Sequence, residues 1–109
     1  MNTFFGGIFI EKEKLEKEGI KYPIKLEYYK NINSEQVLKQ NKYLFGISVV
    51  KTEYMKDKTR VERKDIKYLS NDEQRINAIL ELCKENEVTP IAFEDVICEY
   101  IKNEVFYNI

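Results

Sequence analysis

The stretch SNDEQRINAILELCKENEVTPIAFEDVICEY, residues 70–100, reads as two amphipathic helices joined by a short connector over 86–90. Ser70 and Glu73 make an S-x-x-E capping box, in which the hydroxyl accepts from one orphan amide while the carboxylate reaches back to another. Asp72 and Glu73 also place negative charge in the first turn, where the helix dipole favours it. Ile76, Ile79, Leu80 and Cys83 then recur at spacings of three and four, and Leu82 widens the stripe. Asn86 is expected to close this helix in the left-handed conformation. Thr89 caps the second helix and Pro90 takes its first position, where a missing N–H costs nothing. Phe93, Val96, Ile97, Tyr100 and Ile101 form the second stripe. A connector this short predicts neighbouring helices that share a core.

Upstream of this hairpin the period changes from helical to alternating. Residues 42–54 carry the strongest strand signal, with Tyr43, Phe45, Ile47 and Val49 on one side and Leu44, Gly46, Ser48 and Val50 on the other. Apolar residues on both sides predict a central strand with one face on the helices. Lys56-Asp57-Lys58 is read as a hairpin turn, and residues 60–68 as the returning strand. Val61 and Ile66 have opposite parity there, which a β-bulge or a strand end would reconcile. Further back, Ile24, Leu26 and Tyr28 alternate with Lys25, Glu27 and Tyr29 in a strand that begins after Pro23. Residues 31–41 read as a polar connector with one helical turn over 34–38. Residues 11–19 read as an exposed, mobile segment whose one apolar residue is Leu15. Residues 3–10 form a short strand, bulged or closely approached at Gly6-Gly7. The expected fold is α+β: a three- or four-stranded antiparallel meander followed by two C-terminal helices on one face, in a single domain over residues 1–109.

The run Asn86-x-Val88-x-Pro90-x-x-Phe93-x-Asp95-Val96-Ile97-x-Glu99-Tyr100-Ile101 resembles the C-terminal signature of a small bacterial domain family of unknown function. The resemblance implies an origin in low-GC, mostly spore-forming bacteria and their mobile elements. Phe45-Gly46-Ile47 is similar to the Tyr-Gly-Ile-like strand that precedes the signature. Two positions depart from the pattern: Phe93 stands in place of Leu, and Cys98 in place of an acidic residue. The resemblance implies a compact α+β fold and no activity.

Composition narrows the function classes. The net charge of −1 comes from 18 basic and 19 acidic residues, which read along the chain as interspersed, so the overall basic character of a dedicated nucleic-acid binder is missing. Only 3 of the basic residues are Arg, the side chain that grips phosphate and carboxylate in two-point fashion, which argues against a phosphate site. With no His and only Cys83 and Cys98, a zinc site is not expected, and the two thiols are expected to be reduced. Neither a membrane span nor a signal peptide is read in the apolar start, residues 4–10, and a cytoplasmic protein is expected. No phosphate-cradling glycine loop and no activated nucleophile stand out, so the chain is not expected to be an enzyme, and no cofactor is implied.

The candidate sites are accordingly surfaces. Tyr28, Tyr29, Tyr54, Glu94, Asp95, Glu99, Phe106 and Tyr107 are candidates for contact with another protein, since Tyr offers large amphipathic area with few rotors. Residues 104–109 are read as an apolar tail able to add a strand to a partner or to a second copy; a homodimer through that tail or an edge strand is one expectation. Lys56, Lys58, Arg60, Arg63, Lys64 and Lys67 form a weak candidate nucleic-acid patch, diluted by Asp57, Glu62 and Asp65 and more readily read as a solvated edge strand. The expected function is a non-enzymatic cytosolic interaction or regulatory protein. The alternative is an inhibitor encoded by a phage or mobile element, acting on a host nuclease or defence complex.

Overall fold

A computed structural model describes residues 2–11, 22–37 and 40–107, with the side chains of 34–37, 40–43 and 103–107 left aside. The chain runs β1 (Asn2–Ile10), β2 (Ile24–Val37), β3 (Gln40–Tyr54), β4 (Thr59–Ser70), α1 (Glu73–Glu85) and α2 (Pro90–Tyr107). The strands form one four-stranded antiparallel sheet in the order β1-β2-β3-β4, and both helices pack on one of its faces. The expected α+β architecture is the observed one, with four strands.

The alternation in β2 and β3 does what its period demands. Ile24, Leu26 and Tyr28 of β2 and Phe45, Ile47 and Val49 of β3 are buried against Ile76, Ile79, Leu80 and Cys83 of α1 and Phe93 and Ile97 of α2. The antiparallel register holds Tyr28 opposite Val49 and Ile24 opposite Glu53. In β1, Phe4 pairs with Tyr29 but Gly6 with Tyr28, so Phe5 is the extra residue of a bulge next to the glycine pair.

Within the polar stretch 31–41, residues 31–37 and 40–41 are strand, not connector. β2 continues through Val37, which lies opposite Gln40, and the expected helical turn is absent over 34–37. The reason is non-local. Once the apolar rungs fix the register, each further residue of one strand finds its backbone partner in the other, whatever its propensity. β1 reaches only to Asn31 and β4 only to Phe45, so the rungs from Asn33–Leu44 to Val37–Gln40 stand as a two-stranded ribbon beyond the sheet. The mobile segment expected over 11–19 lies outside the described residues, apart from Glu11.

β4 corrects a second reading. Its register with β3 is continuous from Tyr54–Thr59 to Ile47–Ile66, with no bulge between Val61 and Ile66. Ile66 faces the helices and Val61 the opposite side, where it is exposed. The irregularity comes after Ile66, between the pairs Ile47–Ile66 and Phe45–Ser70. There the β4 backbone passes over Gly46: a Cβ at that position would collide with the carbonyls of Ile66 and Lys67.

The helix caps shift by one or two residues. Asp72, not Ser70, is the N-cap of α1: its carboxylate accepts from the amides of Gln74 (3.0 Å) and Arg75 (3.4 Å). Ser70 ends β4, and its hydroxyl accepts from the Asp72 amide at 3.0 Å. At the other end the left-handed residue is Glu87 (φ 52°) rather than Asn86 (φ −98°). The amide of Val88 donates to the Cys83 carbonyl (2.9 Å) and that of Glu87 to the Lys84 carbonyl (3.3 Å), which is a Schellman closure. The Asn86 side chain contributes differently, donating to the Leu82 carbonyl at 2.8 Å. Thr89 caps α2 as expected, accepting from Ala92 at 3.4 Å, and Pro90 is its first residue. The tail read as a strand is instead helix through Tyr107, because no Gly or Pro interrupts the pattern after Pro90.

Candidate functional site

The helices α1 and α2 cover one face of the sheet, and no other described element packs on the opposite, open face. Reading across the rungs, that open face holds Phe4 and Phe9 of β1, Lys25, Glu27, Tyr29 and Asn31 of β2, Ser48, Val50, Thr52 and Tyr54 of β3, and Val61, Arg63 and Asp65 of β4. Phe4, Phe9 and Val61 are 55–59% exposed and Tyr54 37%. For large apolar side chains in regular strands, that exposure is the anomaly to explain. The rings pair across strands: Phe4 meets Tyr29 edge-on at 5.5 Å, and Phe9 meets Tyr54 at 6.0 Å, tilted by 45°. Such pairs hold aromatic area in fixed orientations.

Beside the rings runs a polar row. Asn31 and Ser48 are buried although they sit on the open face, and they hydrogen-bond to each other at 3.1 Å. Ser48 also donates to Asp65, whose carboxylate accepts from the Arg63 guanidinium with both oxygens at 3.0 Å. The hydrogen bond from Arg63 holds the Asp65 carboxyl below its ordinary range, Ser48 adding to the effect against partial burial. Asn33 donates to the Lys67 carbonyl at 2.9 Å. Asn31, Asn33, Ser48, Asp65 and Lys67, with Asn2, line a hollow of about 180 Å3. The Tyr29 hydroxyl donates to Glu27 at 2.7 Å, and that bond raises its pKa. The row is internally satisfied, so it fixes the shape of the face and presents acceptors and cations at its margin.

The candidate residues fall into separate places. Tyr29 and Tyr54 lie on the open face, whereas Tyr28 is fully buried and belongs to the core: adjacent strand residues point to opposite faces, and Tyr28 shares the parity of Leu26. Glu94 faces β4 and pairs with Lys64 at 3.5 Å, while Asp95 and Glu99 are exposed on another side of α2. The side chains of Phe106 and Tyr107 lie outside the described residues. The basic residues of β4 do not form one patch. Arg60 pairs with Glu62 (3.0 Å), Arg63 with Asp65 and Lys64 with Glu94, on different faces, and Lys67 stands over the Tyr68 ring at 5.4 Å. Lys56 and Lys58 are exposed in the turn. Cys83 is buried in the core and Cys98 exposed on α2; both are free thiols.

Charge is less evenly spread than the net value suggests. Residues 1–71, which include the four described strands, carry 15 basic and 10 acidic side chains, whereas residues 72–109, with α1 and α2, carry 3 basic and 9 acidic. The layers are stitched by pairs of the corresponding sign, Lys30–Glu73 at 3.4 Å and Lys64–Glu94.

Among the described residues no group of three or more His, Cys, Asp or Glu is placed to hold a metal ion, and no helix is long and apolar enough to cross a membrane. The profile of a family described as a family of unknown function (DUF6514) matches residues 7–103. No curated protein and no solved structure matches the chain.

Proposed function

The chain belongs to this family of unknown function, and we propose that it is a small non-enzymatic regulatory protein that binds another protein through the open face of its sheet. The supporting observation is the set of exposed rings on a face the helices leave bare: Phe4, Phe9 and Tyr54, joined by Val61. Aromatic side chains beside a satisfied polar row have the make-up of a protein interface, in which a few apolar anchors dominate and polar neighbours set orientation. On this face Arg63 and Asp65 are engaged with each other. A cytoplasmic setting in a low-GC bacterium fits this reading.

A second reading, an inhibitor carried by a phage or mobile element, draws on the acidic helical half of the chain. Such a protein would lay carboxylates into the basic nucleic-acid groove of a host nuclease.

The test is affinity capture by tagged full-length protein from its native lysate, at low and moderate salt, beside Phe4→Ser and Phe9→Ser variants. A stoichiometric protein partner held by the wild type through moderate salt and lost by both variants supports the open face. A partner retained by both variants removes that face from the function. A partner released by moderate salt and lost on reversing the helix carboxylates favours the inhibitor reading.

A further inference from the structure

The helical layer holds a feature of its own, on the side of the molecule away from the open face. Between the end of α1 and the first turns of α2 lies a cleft of about 450 Å3. Leu82 forms the α1 wall, Ala92, Val96 and Tyr100 form the α2 wall at successive spacings of four, and Val88 closes the end. The four wall residues are only half-buried, although their neighbours Phe93 and Ile97 are enclosed in the core. The cleft is also held in shape. The Val88 amide is fixed by the Schellman bond to Cys83, and its carbonyl accepts from the buried Tyr28 hydroxyl at 2.8 Å. A site formed before its ligand arrives loses less entropy on binding.

The rim gives the sign of the occupant. Glu87 and Glu99 border the cleft, and Asp95 precedes Glu99 by one turn on the same side of α2. The nearest lysine of α1, Lys84, lays its stem over Gly6 of β1, with its Cδ 3.1 Å from where a Cβ would stand, so its charge is carried toward the sheet. An apolar floor with an acidic rim, in a half of the chain with 9 acidic and 3 basic residues, repels phosphate and complements cations.

We propose that this cleft docks a basic amphipathic helix of a partner protein, which seats aliphatic side chains spaced by four on Leu82, Val88 and Val96 and sets Lys or Arg against Glu87 and Glu99. The stripe along α2 gives the cleft the direction of a helix-receiving groove. This site is independent of the open face. Together the two surfaces, on opposite layers, would let one chain bridge two partners.

The probe is a synthetic 16-residue helical peptide with Leu at every third or fourth position and Lys on its other faces. It is titrated into 15N-labelled full-length protein, and affinity is read by fluorescence anisotropy. A peptide with Glu in place of Lys is the charge control, and one with the same composition but no amphipathic order is the shape control. Expected are shifts at Leu82, Val88, Ala92, Val96 and Tyr100, no binding of the Glu peptide, and an affinity loss of about tenfold in Glu99→Lys. Ala92→Phe, which fills the cleft without changing charge, abolishes the same shifts. Glu99 is exposed, so Glu99→Lys retains the fold and the wild-type far-UV spectrum. Equal binding of the Glu peptide or the disordered peptide overturns the proposal. So do shifts centred on Phe4, Phe9 and Tyr54, indifference to both variants, or a saturable self-association that displaces the peptide.

Discussion

The hydroxyl of Tyr28 on β2 donates to the carbonyl of Val88, 60 positions later in the chain, at 2.8 Å inside the core. Val88 follows the left-handed residue that closes α1, where a helix end leaves carbonyls without intrahelical partners. Phe at position 28 would fill the same volume and leave that carbonyl buried and unpaired.

Tyr28→Phe is therefore expected to destabilise the protein by about 1–3 kcal/mol, the range for orphaning a buried acceptor. Urea unfolding measures it, with unchanged m-value. A neutral result would mean that water or a shifted connector satisfies Val88.

The same core predicts an alkaline limb. Burial pushes the Cys83 thiol from 9.0 up to about 12. Burial, then the charge Cys83 would carry once ionised, then the Glu87 carboxylate, push the Tyr28 hydroxyl above its ordinary 10.0. Both groups stay protonated in the folded chain while the unfolded chain ionises, so the unfolded state binds fewer protons as pH rises. Their stabilisation is fully present below the unfolded values near 9.0 and 10.0 and is lost as pH climbs through the folded ones. The slope is up to about 1.4 kcal/mol per pH unit for each group. Urea midpoints across this range should fall less steeply in Cys83→Ala, which starts lower because a core contact is missing. Identical slopes would clear the thiol of any part.

Two glycines should respond in opposite ways. Gly46→Ala drives a methyl into the backbone of Ile66 and Lys67, which cannot yield without breaking the β3–β4 ladder. A loss of about 2–4 kcal/mol or failure to fold is expected. Gly6→Ala meets only the flexible end of Lys84, at 3.1 Å, and should change stability by less than about 1 kcal/mol. Thermal melts of the pair decide it; equal effects would show that the overhang at Gly46 is relieved at little cost.

Asp72→Ala should cost about 1 kcal/mol, since it removes the acceptor of two α1 amides. Ser70→Ala, which removes a hydroxyl that accepts from the Asp72 amide, should cost less than half of that. The reverse order in chemical denaturation would restore Ser70 as the cap.

The elements were legible where one period ran uninterrupted, as in β3 and in both helices. The open face was harder to read, and β1 shows why. Phe4 and Phe9 are five positions apart, an odd spacing that assigns them to opposite faces of a regular strand; the bulge at Phe5 brings both to the same one. A signal for Tyr28 did exist: it continues the alternation of Ile24 and Leu26, so only Tyr29 of the adjacent pair was free to face outward. The ribbon of β2 and β3 could not be read locally, because its polar residues are strand only through each other. The cleft between α1 and α2 depends on how far two helices stand apart, which no stripe of residues encodes. Charge was readable all along, and dividing the chain at residue 71 reveals what the net value hides.

That division makes the nearly neutral molecule an electric dipole, positive through its strands and negative through its helices. In about 0.01 M salt the screening length, ~30 Å, exceeds the 16.0 Å radius of gyration, so a charged partner exerts a torque on the whole protein before touching it. A basic body meets the helices first and an acidic one the sheet. At about 0.15 M the length shrinks to ~8 Å and the turning couple fades, leaving each layer to be recognised by its own contacts. Encounter rates with partners of either sign should therefore both fall as salt is added, a behaviour that a net charge of −1 would not foretell.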